Sequence, residues 1–499
     1  MDQPDILILA NTVDPEESRV AIIENGRLAE LFVERMWESQ KSGEIYKARV
    51  DSVLPGMNAA FVGLGDGRNG FLYLNDARGF PVKQNAEILV QVVKTARKNK
   101  GPRVTARISI PGRYLVLVPG GHDIGVSKRI SREEERSRLK SVARSMDTAG
   151  FGLIMRTASE GIDKETLTED FERLKALWRG IEADAAKQQA PCLLYRDLGI
   201  VGRVLRDDMS SDVSQIVVDN EEEYERVRDY IERFGSGNVA PELSFHRGSV
   251  PLFEYYDIEK EIEALLENKV WLESGAYLVI DQTEALTVID VNTGKFTGGK
   301  SLRETVLATN LEAADEIARQ LRLRSIGGII VVDFIDMESE DDKKALLARL
   351  NEACAADRCR IHVYGISQLG LVEMTRKRAR ADMRAVLTRP CPHCDGSRVL
   401  KEDSIALMLK RFIRKIFMSS RSDAVLLDAN PEVASYVAGT YLASWEECFG
   451  RRIFIRGDAS MSLVRFRLDL QGSTASVEAR IALMRGRGDT CVVYRTTDA

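Results

Sequence analysis

Leu286-Thr287-Val288-Ile289-Asp290-Val291-Asn292-Thr293 and Ile329-Ile330-Val331-Val332-Asp333-Phe334-Ile335-Asp336 decide how this chain is read. Each is an apolar, β-branched run that meets an Asp, the pattern of a buried strand that carries a carboxylate to the rim of a sheet. Side chains alternate along a strand, so Asp290 and Asn292 share a face, and Asp333 arrives from a neighbouring strand. Two carboxylates and an amide oxygen suit a hard cation such as Mg2+, which keeps several waters and binds through one or two carboxylates plus a substrate phosphate. Asp at a strand end also serves turns and helix caps, so the pattern gains its weight from what surrounds it.

Those surroundings favour convergence. Tyr277-Leu278-Val279-Ile280 is a further strand, joined to the Asp290 run by a tight connection through Gln282-Thr283-Glu284. Ser301-Leu302-Arg303-Glu304 is a capping box. The helix it opens carries Leu307, Leu311, Ala314, Ala318 and Leu321 on one stripe and stops before Gly327-Gly328, where the Asp333 run begins. A second helix carries Leu346, Leu347 and Leu350. The alternation predicts an α/β layer with a buried sheet. Its strand–helix–strand crossover returns Asp333 to the edge that holds Asp290, where ligands of open α/β sheets gather.

Upstream the chain reads differently. Residues 5–35 alternate around a hairpin turn at Asn25-Gly26. From Gly43 to Ile110, short strands (Ile45–Val50, Ala59–Val62, Gly70–Leu74, Glu87–Val93) alternate with Gly-rich turns, which suggests a small barrel. Lys94, Arg97, Lys98, Lys100, Arg103 and Arg107 crowd its last part, with Phe61 and Phe71 nearby. Cations interleaved with aromatics are what single-stranded nucleic acid needs, although a lone Phe in a strand is more often core. Next come the strand Tyr114–Val118, helices near 131–147 and 164–187, and between them Gly152–Thr157, a strand that delivers Arg156 and Thr157 at its end. Such a pair can hold a phosphate, though a surface Arg is the commoner outcome. Residues 201–265 mix short strands and helices. Arg376, Lys377, Arg378, Arg380 and Arg384 form a second basic cluster. Lys410, Arg411, Arg414 and Lys415 form a third, which reads as the solvated flank of a helix whose apolar stripe is Met408, Phe412 and Ile416.

Composition sets bounds. A chain of 499 residues allows several domains. A net charge of −5 demands no polyanion partner, so any such site rests on local patches. No apolar stretch approaches a membrane span, and Met1-Asp2-Gln3-Pro4-Asp5 does not open a signal peptide, so a cytoplasmic protein is expected. Seven scattered cysteines point to a reducing compartment. Cys391-Pro392-His393-Cys394 reads as a zinc knuckle rather than a redox dithiol, because Asp395-Gly396-Ser397 turns instead of opening a helix. A structural zinc takes four ligands. No second such motif exists, so a second copy of the chain is expected to supply the other two thiolates across a two-fold axis.

Taken together, Thr283-Glu284-Ala285-Leu286-Thr287-Val288-Ile289-Asp290-Val291-Asn292-Thr293-Gly294, Asn310-Leu311-Glu312-Ala313-Ala314, Ile317–Arg324, Val332–Met337 and Gly370–Arg378 resemble the ribonuclease E/G family over nearly the whole chain, in the form without a long C-terminal scaffold. The resemblance implies a magnesium-dependent endoribonuclease that cuts single-stranded RNA, is stimulated by a 5′-monophosphate, and acts in ribosomal RNA 5′-end processing and mRNA decay. It implies a multidomain α+β fold. Residues 1–38 and 201–267 would form a ribonuclease H-like subdomain, and 39–111 an OB-fold (S1-type) RNA-binding barrel. A 5′-monophosphate sensor would span 112–200 and a deoxyribonuclease I-like catalytic domain 268–385. A zinc link (386–400) and a small C-terminal domain (401–499) would complete the chain. Asp290 and Asp333 match the Mg2+-binding catalytic aspartates, and Asn292 the residue that helps hold them. Phe61, Phe71 and Lys100 match RNA contacts. Gly112, Val116, Arg156, Thr157 and Arg360 match the 5′-phosphate pocket. Cys391 and Cys394 match a Zn2+ shared between two chains of a homodimer, with a higher oligomer left open. Two departures stand out: the segment between Asp76 and Ala86 is short, and 401–499 matches weakly. A non-catalytic RNA-binding protein and a DNA endonuclease are the rival readings.

Overall fold

A computed structural model of the chain describes residues 6–36, 42–65, 67, 69–77, 79, 82–94, 101–148, 150–196, 198–208, 213–234, 241–294, 301–378, 380, 382–390, 398–486 and 493–495. Two compact units divide it. The first holds Met1–Val20 and Phe32–Phe245, the second Ala21–Leu31 and His246–Ala499.

In the first unit, Ile45–Leu54, Ala59–Gly63, Asn69–Tyr73, Arg103–Thr105 and Glu87–Lys94 pair in that order, and Ile45–Leu54 pairs again with Glu87–Lys94 to close a five-stranded barrel. Closure leaves no open edge. Alternate residues point inward: Ala48, Val50, Ala60, Val62, Leu72, Val90, Val92 and Val104 form the barrel core. A four-stranded sheet follows, in the order Ile124–Val126, Phe151–Met155, Leu115–Pro119, Ile110–Pro111. Leu115, Leu117, Leu153 and Met155 share one buried cluster with Leu139 of the helix Glu133–Ser145 and with Phe171, Leu174 and Trp178 of the helix Lys164–Lys187. Ile6–Asn11 lies parallel to Val213–Val218, so two segments some 200 residues apart share a five-stranded sheet.

The second unit is built on a six-stranded sheet ordered Lys269–Trp271, Tyr277–Gln282, Leu286–Asn292, Gly328–Asp333, Val372–Arg376, Ile361–Ile366. Only Leu286–Asn292 and Gly328–Asp333 run parallel, linked through the helix Leu302–Leu323. Ser301 caps that helix, accepting from the Glu304 N–H at 3.2 Å, as the capping box requires. Leu278, Ile280, Ile289, Val291, Ile330, Val332, Val372 and Met374 are buried with Ala313, Ala314, Ile317 and Leu321 of this helix and Leu346 and Leu350 of Glu340–Ala355.

Two expectations need correction. The sheet is covered on one face only: Trp271, Val288, Ile329 and Tyr364 are exposed on the other. Both crossover helices, Leu302–Leu323 before Gly328–Asp333 and Glu340–Ala355 between Gly328–Asp333 and Ile361–Ile366, pack on the same side, and the other strand connections in the sheet carry no helix to cover the second face. The buried stripe of Leu302–Leu323 is also rotated from the expected one. Leu307 and Leu311 are half-buried, whereas Thr309, Asn310, Glu316 and Gln320 are buried. Counting apolar residues alone misses a helix face that buries hydrogen-bonding groups.

The last part of the second unit is a sheet ordered Arg467–Gly472, Ala424–Ala429, Arg452–Gly457, Val493–Tyr494. Ala424–Ala429 is buried throughout. Its Asp428, fully enclosed, accepts from Arg456 and Arg467, each at 2.6 Å. A buried charge is tolerated when paired this way. The helix Glu402–Ser419 packs on this sheet through Leu409, Ile413 and Ile416. Lys410, expected on a solvated flank, is fully buried, with its Nζ 5.9 Å from the centre of the Trp445 ring. The apolar stripe is therefore displaced one position from Met408 and Phe412, which are half-buried. Among the described residues, no helix is long and apolar enough to cross a membrane.

Candidate active site

Asp290 and Asp333 are register partners across the parallel pair Leu286–Asn292 and Gly328–Asp333. Partners in register point to the same face, and adjacent strands lie ~4.8 Å apart. Both side chains stand on the open face of the sheet and are exposed. Asp333 ends its strand, but Asp290 lies inside its own, which continues through Asn292. The Asn292 amide N–H donates to Asp290 Oδ2 at 2.6 Å, which fixes the carboxylate's orientation. Asn292 thus acts on Asp290 as a positioning group.

Among the described residues, no group of three or more His, Cys, Asp or Glu could hold a metal ion. The donor set here is smaller: two like-charged carboxylates and an amide on one exposed face. It fits Mg2+, which takes few protein ligands and keeps its waters, and does not fit an ion that needs an all-protein cage.

Asn310 supports the site from beneath. It is fully buried in the helix Leu302–Leu323. Its Nδ2 donates to the Ile335 carbonyl at 2.8 Å, and its Oδ1 accepts from the Ile335 N–H at 3.1 Å. Both main-chain groups two residues beyond Asp333 are therefore clamped. Sequence reading placed Asn310 in a family motif but gave it no role; a polar residue among apolar helix positions was the available signal.

The barrel places Phe61 and Phe71 as a cross-strand pair, centroids 5.7 Å apart and 73° between planes. Both are half-buried and neither belongs to the barrel core. Tyr73 extends the row, 4.9 Å from Phe71, and the Arg103 guanidinium lies 4.8 Å from the centre of its ring. Tyr73 and Arg103 were not singled out as a pair in the sequence, because their contact spans two strands. Lys100 lies outside the described residues.

Arg156, at the end of the strand Phe151–Met155, donates to the Gly112 carbonyl at 2.6 Å and to Asp207 Oδ1 at 2.6 Å. Thr157 is exposed and shares a 3.0 Å hydrogen bond with Ser127. Val116, half-buried, pairs with both Pro111 and Ile154. Gly112 cannot bear a side chain: a Cβ would meet Asp170 Oδ2 at 2.7 Å and Leu174 Cδ1 at 2.8 Å. Asp170, whose carboxyl burial pushes above the usual range, accepts from the Tyr114 N–H at 2.9 Å and so shapes that turn. Four of the five expected pocket residues thus come together. Arg360 lies in the second unit, in a shallow depression with His362 and Thr375. Asp207, the counter-ion of Arg156, was not foreseen.

Cys391 and Cys394 lie outside the described residues. The strands that flank them, Thr388–Pro390 and Arg398–Leu400, pair antiparallel. Cys354 is buried, which pushes its thiol up to about 11, as expected for a structural cysteine rather than a ligand.

A chain that carries both a paired-carboxylate sheet and a closed five-stranded barrel matches an enzyme class that related proteins define. A model described as ribonuclease E/G family matches residues 109–379. Ribonuclease G of Salmonella typhimurium is 40% identical over 447 residues, 86% of this chain and 91% of its own length. Ribonuclease G of Haemophilus influenzae is 37% identical over 91% of this chain and 97% of its own. Ribonuclease E of a Nostoc species is 43% identical over 76% of this chain and 58% of its own. The chain belongs to the ribonuclease E/G family.

Replacing Asn310 with Ala strands the Ile335 N–H and carbonyl. Each unpaired group costs ~1–3 kcal/mol, so denaturant unfolding should record a loss of about 2–6 kcal/mol. Turnover should fall ~10–100-fold, as for loss of a supporting partner. Native stability in that variant would show that the clamp does not hold the Asp333 segment.

Proposed function

We propose that this protein is an endoribonuclease that cuts single-stranded RNA at Asp290 and Asp333 with a divalent cation, in RNA processing and decay. The observation that carries this reading is the register pairing of the two aspartates on one open sheet face. Membership of the ribonuclease E/G family supports it.

The residues divide the work. Phe61 and Phe71 offer ring faces on which unpaired bases stack, and Lys100 holds a phosphate. Asp290 and Asp333 hold Mg2+, which when bound supplies Lewis acidity at the scissile phosphate and an acidified water. Asn292 keeps Asp290 in its ligating rotamer, and Asn310 keeps the backbone after Asp333 from shifting. Hydrolysis leaves a 5′-phosphate on one fragment and a 3′-hydroxyl on the other. Gly112, Val116, Arg156 and Thr157 receive a 5′-monophosphate. Arg156 is already ion-paired with Asp207, so the phosphate enters by taking over part of that pairing. Cys391 and Cys394 bind Zn2+ jointly with the same residues of a second chain, which makes the working form at least a dimer. Ribosomal RNA precursors and messenger RNA are the substrates this reading assigns, in the cytoplasm.

Asp290→Asn should cut Mg2+-dependent cleavage of a single-stranded oligoribonucleotide by more than ~100-fold, beyond the effect of a supporting partner, while RNA affinity stays native. Retained turnover would refute the assignment, and equal cleavage of DNA of the same sequence would favour the DNA endonuclease. Arg156→Ala should slow 5′-monophosphorylated RNA by ~10–100-fold, the worth of a charged hydrogen bond, and leave 5′-hydroxyl RNA unchanged. Equal loss on both substrates would remove the sensor from the account.

A further inference from the structure

Beside the paired aspartates lies a group of side chains that the reading above leaves unused. Trp271, Tyr277 and Asn292 stand in one row across three adjacent strands, and Lys269, Val279, Asp290 and Asp333 in the next. Direct partners share a face, so the two aromatic rings and the Lys269 ammonium occupy the open face that carries the carboxylates. Trp271 is 60% exposed, although it sits between core residues of the same sheet. Its ring and that of Tyr277 are 5.3 Å apart, inclined at 59°. Lys269 Nζ lies 4.0 Å from the centre of the first and 3.6 Å from that of the second. Among the described residues no carboxylate forms a salt bridge with Lys269, so its charge is held by ring faces alone. A cation in that position is worth ~0.5–1 kcal/mol at an exposed site, enough to order the rings without burying them. Gly294 lets the backbone at Gly275 approach beside the Tyr277 ring. It has φ +59°, and a Cβ there would meet the Gly275 carbonyl oxygen at 2.5 Å and the Tyr277 ring at 3.4 Å.

We infer that Trp271 and Tyr277, steadied by Lys269, form a stacking subsite for the nucleobase next to the scissile phosphate. The inference rests on the assignment of Asp290 and Asp333 above. Two features select a nucleotide as the occupant. Strand spacing of ~4.8 Å sets Tyr277 one strand and Trp271 two strands from Asn292, the reach of a neighbouring nucleotide. The ammonium beside the rings offers charge to its phosphate, and an aromatic face accepts any base. This subsite belongs to the cleavage centre and is separate from Phe61 and Phe71 on the barrel. It would make cleavage depend on an unpaired base at one fixed position from the cut, whatever that base is.

The test uses the full chain and an oligoribonucleotide with one cleavage site, with an abasic residue placed at each position in turn. Trp271→Ala should lower kcat/KM about tenfold, mostly through KM, and Trp271→Phe should retain most of it. An abasic residue at one position flanking the cut should cost the native chain the same factor and cost Trp271→Ala nothing more. Losses that multiply at every position, or full activity in Trp271→Ala, would overturn the subsite. Full activity together with altered self-association would assign the rings to contact with a second copy. Affinity for the same RNA in EDTA, read by anisotropy, separates the subsite from the cleavage assignment. A native chain that binds but does not cut once Mg2+ is restored refutes the latter. The former still requires Kd to rise about tenfold in Trp271→Ala, and an unchanged Kd refutes it.

Discussion

Two parallel strands, Leu286–Asn292 and Gly328–Asp333, hold Asp290 and Asp333 side by side, and the proposed chemistry depends on that register. The arrangement is electrostatically unfavourable. Two unit charges ~5 Å apart repel by ~0.8 kcal/mol in water and ~3 kcal/mol at an effective dielectric of 20. The opposite face of the same strands outweighs this. Ile289, Val291, Ile330 and Val332 are buried against helices, and each such side chain contributes ~1.5–3 kcal/mol. A one-residue slip would send those four residues to solvent and the aspartates into the core. The hydrophobic pattern therefore fixes the carboxylate pair, and a divalent cation bound as proposed would relieve the remaining repulsion.

Two supporting groups act on the pair. Asn292 aims Asp290 from within the strand, and Asn310 clamps the chain beyond Asp333 from the helix below. Neither supplies charge. Their contribution is geometric, which suits the proposed placement of an ion against a substrate phosphate.

Much of this was legible in the sequence, because the informative signals are local. β-branched runs ending in Asp, a capping box at Ser301, and Gly-rich turns between short strands each report on a few consecutive residues. The crossover between the two aspartates followed from element order. The misreadings have one cause. The helix Leu302–Leu323 buries Thr309, Asn310, Glu316 and Gln320, and Glu402–Ser419 buries Lys410, because Thr309 and Gln320 find partners four residues away in the chain and Asn310, Glu316 and Lys410 find Ile335, Arg27 and the Trp445 ring from elements distant in sequence. A periodicity count that admits only apolar residues therefore rotates the helix. Asp207 on Arg156, Arg103 beside Tyr73 and Lys269 over Tyr277 went unseen for the same reason: each joins elements whose adjacency only the fold creates. The open face of the catalytic sheet was missed because an alternating strand looks the same whether its second face meets solvent or another layer.

The claim that two aspartates jointly hold one divalent ion is tested most directly by counting ions rather than cleavage. Mn2+ can stand in for Mg2+ and be followed by electron paramagnetic resonance, with an RNA made uncleavable bound to the protein. The native chain should hold one Mn2+ that is absent from both Asp290→Asn and Asp333→Asn. An unchanged count in either variant would contradict the account, because the ion would then sit elsewhere and the register pairing of the two strands would have no catalytic meaning.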